Sequence, residues 1–283
     1  MEIEKIMVIG AGLMGRGIAT VFAQAGLSVS WYEKEKTILE AAMRKIHNGL
    51  EQAVEKSKIT PEDLSRTLEN IHPVSSLQDA ANCEFVIEAI TENLLLKEKL
   101  FKELDLICSP EIVFASNTSS LPITKLANCT NRADRFIGMH FFSPVPVMQL
   151  VEIIRGTSTS DETYDMAVKL VRKINKEIIN APDHPGFLVN RILNVMLNES
   201  FYCVLDGAAP EDVDKGMKLG CNFPMGPLEL TDYVGVDVVY YVLCTLYDGF
   251  GDEKYKPCPL FKKMVDAGRL GRKTGKGFYD YTS

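Results

Sequence analysis

The chain has 283 residues, 46% apolar and 24% charged, with a mean hydropathy of zero and a net charge of −7. These are ordinary values for a soluble globular protein and exclude a disordered, collagen-like or coiled-coil chain. An acidic balance repels phosphate polymers and argues against nucleic acid as a partner, although a local basic patch can still hold a small phosphorylated ligand.

Residue by residue, the first half alternates strand and helix. Lys5–Ile9 is a short apolar run that leads into a Gly-rich turn. Ile18, Val21, Phe22 and Ala25 share one helical face that ends at Gly26, and Leu27, Val29 and Trp31 alternate as a strand. Ile38, Leu39, Ala42, Met43, Ile46, Leu50 and Val54 form a long helical stripe. Thr60-Pro61-Glu62-Asp63 starts another helix, with Thr60 as N-cap. Phe85–Ala89 and Ile112–Ala115 read as strands around a charged helix, Leu95–Ile107. Phe136–Phe142 and Leu150–Ile154 read as further strands, and Asp161–Ile174 as a helix. Such alternation predicts an α/β domain with a parallel sheet covered by helices on both faces.

The character then changes. Asn180-Ala181-Pro182-Asp183-His184-Pro185-Gly186 reads as a linker. Phe187–Leu205, Pro210–Leu219, Asp237–Tyr247 and Leu260–Ala267 all have helical periodicity. The expected division is residues 1–184 as a dinucleotide-binding domain and 185–283 as a smaller, all-helical C-terminal domain. No apolar run reaches the ~18 residues of a membrane span; the nearest, Val234–Tyr247, contains Asp237 and reads as a buried helix. Met1-Glu2-Ile3-Glu4-Lys5 lacks a cationic leader segment, so no signal peptide is expected. The seven cysteines form no Cys-x-x-Cys and cannot all pair, which suits the reducing cytoplasm and argues against a metal site.

Gly10-Ala11-Gly12-Leu13-Met14-Gly15 follows a predicted strand and opens a predicted helix. Glu33 ends the next strand, 21 residues after Gly12 and close to the roughly 20 expected of a Rossmann-type, doubly wound sheet. Gly10 permits the tight turn, Gly12 lets backbone approach a pyrophosphate, and Gly15 allows close packing of helix on strand. Glu33 favours NAD, because a 2′-phosphate would face its carboxylate; Lys34 and Lys36 nearby leave NADP as the alternative.

Among four histidines, His140 is the best acid–base candidate, at the end of a strand where functional groups of such sheets gather. Glu152, 12 residues on, lies in the apolar run Leu150-Val151-Glu152-Ile153-Ile154. A carboxylate there needs a partner, and an imidazole would serve. Ser116-Asn117-Thr118-Ser119-Ser120 follows another strand end, although Ser120 before Leu121-Pro122 reads better as turn chemistry. Asn190-Arg191 lies early in a helix that Asn does not favour, which points to a polar contact made from that helix.

Together these motifs resemble the (S)-3-hydroxyacyl-CoA dehydrogenase family, on its short-chain bacterial side. The match includes His140-Phe141-Phe142-Ser143-Pro144, Val151-Glu152-Ile153-Ile154, Pro185-Gly186-Phe187-Leu188-Val189-Asn190-Arg191, Pro224-Met225-Gly226-Pro227 and the tail from Gly271 to Tyr281. The resemblance implies reversible reduction of acetoacetyl-CoA to (S)-3-hydroxybutyryl-CoA. It implies His140 as acid/base, Glu152 as its orienting partner, and Ser119 and Asn190 as substrate contacts. Glu92, Lys97, Asn117, Ser119 and Lys273 match cofactor-contacting positions beside the glycine loop, and Lys56 and Lys58 match basic positions that meet coenzyme A phosphates. A homodimer through the helical domain is also implied, with Val236–Leu246 as its apolar face. The chain has Glu33 where most members carry Asp. A same-fold enzyme acting on a free 3-hydroxy acid or on 3-hydroxyadipyl-CoA, and a non-catalytic dinucleotide-binding protein, are the alternatives.

Overall fold

A computed structural model describes residues 3–282; Met1 and Glu2, at the start of the segment read above as leaderless, and Ser283 lie outside the described residues. Two compact units form, Met1–Asp183 and His184–Ser283.

In the first unit the chain runs β1 (Lys5–Ile9), α1 (Leu13–Gln24), β2 (Ser28–Tyr32), α2 (Lys36–Glu55), α3 (Pro61–Glu69), β3 (Ile71–Val74), β4 (Phe85–Glu88) and α4 (Leu94–Ile107). It continues through β5 (Val113–Ser116), α5 (Ile123–Ala127), β6 (Phe136–Phe141), β7 (Leu150–Arg155), α6 (Asp161–Lys173) and β8 (Glu177–Ala181). The strands form one sheet in the order β3-β2-β1-β4-β5-β6-β7-β8. Both faces are covered. Alternate residues such as Ile6, Val8, Phe85, Ile87, Ile137 and Met139 pack with α1, α2 and α6 in one apolar core. On the other face Phe101 of α4 meets the rings of Phe114 and Phe136. The α3 start is as expected: Thr60 and Asp63 cap each other's backbone N–H groups.

The sheet departs from the expected all-parallel arrangement at one place. β7 runs antiparallel to β6, while β8 returns parallel to β7. The connection from Phe142 to Gln149 is too short for the crossover that a parallel pair requires. Two strands lie outside the sequence reading, and both are sheet edges. β3 carries Pro73, which an edge tolerates because one row of its backbone groups needs no strand partner. β8 takes up Asn180 and Ala181, the start of the expected linker. Asp183, within that same stretch, accepts hydrogen bonds from the N–H groups of Ile123 (2.7 Å) and Thr124 (2.8 Å) and so caps α5.

The second unit contains α7 (Val189–Leu205), α8 (Pro210–Gly220), α9 (Pro227–Val234), α10 (Val236–Phe250) and α11 (Pro259–Asp266). The first helix begins two residues later than expected, because Gly186 and Phe187 have positive φ (71° and 49°). The short α9 was not expected. Leu197 and Phe201 of α7 pack with Val236, Val239, Leu243, Phe261 and Met264. Of the Val236–Leu246 face expected to serve a dimer, Val236, Val239, Leu243 and Leu246 are buried within this chain, and the large apolar side chains Val238 and Tyr241 are exposed. Among the described residues, no helix is long and apolar enough to cross a membrane.

Two buried acids organise this unit. Asp214 accepts from the N–H groups of Leu228 and Glu229, capping α9, and from the Tyr279 hydroxyl. Burial and that carboxylate push the Tyr279 phenol far above its ordinary value. Asp232 accepts from the N–H groups of Phe278 and Tyr279 and from the Tyr281 hydroxyl, which fixes the tail. Asp232→Ala leaves two part-buried N–H groups without their acceptor, so urea unfolding should show a loss of about 3 kcal/mol. A loss under about 1 kcal/mol would mean that the tail is held by its apolar side chains instead.

Candidate active site

β1, β2, β4, β5 and β6 run parallel, so their carboxyl ends share one edge of the sheet. β1 continues through β2 to β3 on one side, and β4 starts the other side, so chain order reverses between β1 and β4. Open α/β sheets hold ligands in the crevice at such a reversal.

The glycine loop lies there. Gly10 has φ 107°, and a Cβ on it would stand 2.5 Å from the Ala89 carbonyl oxygen; a Cβ on Gly15 would collide with the Gly10 carbonyl. Gly12 differs, since among the described residues nothing beyond its own stretch of chain lies within 4 Å of its missing Cβ. Among the described residues, no side chain caps the start of α1 at Gly12, beside Leu13 and Met14. An open, uncapped helix N-terminus lined by glycine backbone fits a pyrophosphate. Glu33 follows β2 and accepts the Ala11 N–H at 2.9 Å, which ties the acid to the loop. The donor set therefore fits a dinucleotide with a free ribose diol.

Next to it, after β4 and β5, is a polar network. Glu88 is fully buried, and its carboxylate accepts from Lys97 Nζ (2.5 Å), the Ile90 N–H (2.7 Å) and Ser116 Oγ (2.5 Å). Burial raises its carboxyl above the ordinary range, against the pull of Lys97. Lys97 is itself buried and lies 3.3 Å from Glu92, whose side chain is 37% exposed. Glu92 Oε1 accepts from Thr118 Oγ1 (2.6 Å), the Ser119 N–H (3.0 Å), Ser119 Oγ (3.3 Å) and Ser120 Oγ (3.1 Å). Burial alone would raise the Glu92 carboxyl, but Lys97, Thr118 and Ser119 outweigh it and hold the group below its ordinary range. Asn117 Oδ1 accepts the Phe141 N–H at 2.9 Å, which links the end of β5 to the residue after His140.

The antiparallel pair places His140 directly opposite Glu152. Cross-strand partners on one face lie close enough to touch. His140 Nδ1 is 2.6 Å from Glu152 Oε2, with the two side chains 7% and 0% exposed. The Phe142 ring lies against the imidazole, with 4.6 Å between centroids. An imidazole held at one nitrogen by a buried carboxylate is equipped for acid–base chemistry at the other.

The structure thus brings together Gly10, Gly12, Gly15 and Glu33 in one group, Glu92, Lys97 and Ser119 in a second, and His140 with Glu152 in a third. Lys56 and Lys58 are exposed at the turn after α2, and among the described residues neither side chain shares a bond with those groups. In the second unit, Asn190 is the second residue of α7, with its carbonyl accepting Asn194 Nδ2 at 2.8 Å. Lys273 stands in a short turn, 2.6 Å from Asp237 Oδ1 at the start of α10. Glu88 is the residue that sequence reasoning passed over. Its signal was present: an acid inside the apolar run Phe85-Val86-Ile87-Glu88-Ala89-Ile90 needs a buried partner as much as Glu152 does.

Fold and strand-end chemistry together define a dinucleotide-dependent oxidoreductase. The chain belongs to the 3-hydroxyacyl-CoA dehydrogenase family: the family's NAD binding domain matches residues 5–184, and its C-terminal domain matches residues 186–281. It is an NAD-dependent enzyme with a Rossmann N-terminal domain and a helical C-terminal domain. It is 49% identical over 282 residues to a probable 3-hydroxybutyryl-CoA dehydrogenase of Bacillus subtilis, covering 99% of this chain and 98% of that one. It is 40% identical over 290 residues to human mitochondrial hydroxyacyl-coenzyme A dehydrogenase, covering 99% and 91%. The crystal structure of (S)-3-hydroxybutyryl-CoA dehydrogenase from Ralstonia eutropha matches with a TM-score of 0.97 at 46% identity, over 100% of both chains.

The depressed Glu92 carboxyl makes a pH prediction. A group whose folded value lies below its unfolded value of 4.5 stabilises the fold above that pH, and the contribution is lost as pH falls through the folded value. The stability gap between wild type and Glu92→Gln should be full near neutral pH and shrink as urea midpoints are followed below about pH 4.5. A gap that is constant across that range would show that Glu92 is not held by these partners.

Proposed function

We propose that this enzyme reversibly reduces acetoacetyl-CoA to (S)-3-hydroxybutyryl-CoA with NADH, with His140 as the acid/base and Glu152 as the group that orients it. The observation that carries this reading is the 2.6 Å contact between His140 Nδ1 and Glu152 Oε2, made inside the sheet by strand register. NADH, when bound, supplies the hydride. In reduction, the imidazolium gives its Nε2 proton to the 3-oxygen as charge develops there; in oxidation, Nε2 takes that proton back. Glu152 keeps Nδ1 committed, so the ring always presents the same nitrogen and the charged ring faces a compensating carboxylate. Ser119 and Asn190 hold the substrate's reacting oxygen or its thioester end, and Lys56 and Lys58 meet the coenzyme A phosphates.

Glu92, Lys97, Asn117 and Lys273 contact the cofactor beside the glycine loop in this reading. Residues 1–184 are the dinucleotide-binding domain, and 185–283 carry substrate contacts and the surface of a homodimer. The enzyme works in the cytoplasm. The 40–49% identity to relatives named for hydroxyacyl-CoA substrates supports a thioester over a free 3-hydroxy acid.

Kinetics with acetoacetyl-CoA test the roles. His140→Gln should lower kcat by about 10²–10⁴. Glu152→Gln should lower kcat by about tenfold or more and leave KM nearly unchanged, as expected where an interaction matters mainly in the transition state. Turnover of His140→Gln within about threefold of wild type would remove it from the chemistry. NADH should be used in preference to NADPH, because the Glu33 carboxylate would repel a 2′-phosphate; the opposite preference would mean that Lys34 and Lys36 outweigh it. Activity on free acetoacetate but not on its thioester would move the assignment to the free-acid enzyme.

A further inference from the structure

We propose that Glu88 is a positioning residue for the nicotinamide half of the cofactor, acting through Lys97 and Ser116 on Glu92 and the Ser119 turn. The inference rests on the NAD reading of this domain and goes one residue beyond the groups expected to touch the cofactor. A dinucleotide laid across the β1/β4 crevice has its pyrophosphate at the start of α1 and its adenosine ribose toward Glu33 on β2, so its other half falls to the ends of β4 and β5. Glu88 is the last residue of β4.

From that position it joins three elements. Its carboxylate takes Lys97 of α4, the Ile90 N–H of the loop after β4, and Ser116 Oγ at the end of β5. Ser116 Oγ then accepts the Thr118 N–H at 3.2 Å, and the Glu88 carbonyl accepts the Asn117 N–H at 2.8 Å. A fully buried ion pair adds little stability compared with apolar residues of the same volume. Its presence here, next to the turn that carries Ser119, points to geometry as its use.

Charge sharing gives the reason. Lys97 Nζ lies 2.5 Å from Glu88 and 3.3 Å from Glu92. With Glu88 neutralised by substitution, Glu92 is, among the described residues, the carboxylate left to that buried ammonium. Closer approach of Glu92 to Lys97 loosens its hold on Thr118, Ser119 and Ser120, and the turn loses its position.

Binding measurements on the intact protein separate this from a purely structural role. NADH binding is followed by its fluorescence, and ADP, which lacks the nicotinamide half, by calorimetry. In Glu88→Gln the NADH Kd should rise about tenfold, and in Ser116→Ala about threefold, while the ADP Kd stays within about twofold in both. Should Glu88→Gln fail to fold, Ser116→Ala alone decides the matter, because it keeps both charges. NADH affinity unchanged in the folded variants would overturn the proposal. Parallel weakening of NADH and ADP would also overturn it, because it would show general damage to the domain. Wild-type protein that binds neither ligand would overturn the cofactor reading itself, and the proposal with it.

Discussion

A carboxylate inside an apolar sheet must find a donor, and much of this molecule is arranged around that requirement. Glu88 and Glu152 are both fully buried on strands, where an unpartnered negative charge would cost several kcal/mol. One is satisfied by a lysine, a serine and a backbone amide, and the other faces an imidazole across an antiparallel pair. Asp214 and Asp232 apply the same rule in the helical unit, where they gather helix starts and tail amides. The acids sit where distant parts of the chain have to be held in register.

The single antiparallel pairing in the sheet has the largest chemical consequence. Had β7 run parallel to β6, it would need a long crossover, and Glu152 would have no reason to fall opposite His140. The eight-residue return from Phe142 to Gln149 makes the pair local. Strand register then fixes the carboxylate against the ring with little freedom to drift. The glycine loop, by contrast, works by absence. Gly10 and Gly15 remove side chains that would strike backbone, and Gly12 leaves open space at the start of α1.

Most of the α/β unit was legible because its central strands are apolar runs and its helices carry long stripes; β1, β2, α2 and α4 lie within two residues of their expected bounds. The edges were not. β3 holds His72 and Pro73, and β8 holds Glu177 and Asn180, because an edge strand buries little and its sequence need not look like a strand. The direction of β7 was encoded in a connection length rather than in any residue. α9 is short and starts on a proline, and its cap comes from Asp214, 13 residues before that proline, so no local pattern marks it. Within the site, the glycine loop, Glu33, His140 and Glu152 follow from residue chemistry at strand ends. Asn190 stood out as an Asn early in a helix, though only the resemblance gave it a substrate role; Lys273, Lys56 and Lys58 came from resemblance alone, since nothing in their local sequence separates a ligand contact from an ordinary surface residue. Glu88 carries the same burial signal as Glu152, but its partners Lys97 and Ser116 come from two other elements, and neither residue type marks a buried pair by itself.

If the assignment of roles is right, Glu152 fixes which nitrogen of His140 exchanges a proton with substrate. NMR of ¹⁵N-labelled histidine reads that directly, with His140 assigned by comparison with His140→Gln. Neutral His140 in the wild type should carry its proton on Nδ1, hydrogen-bonded to Glu152, and Glu152→Gln should weaken that bond and mix the tautomers. A wild-type ring protonated on Nε2 when neutral, unchanged by Glu152→Gln, would contradict it.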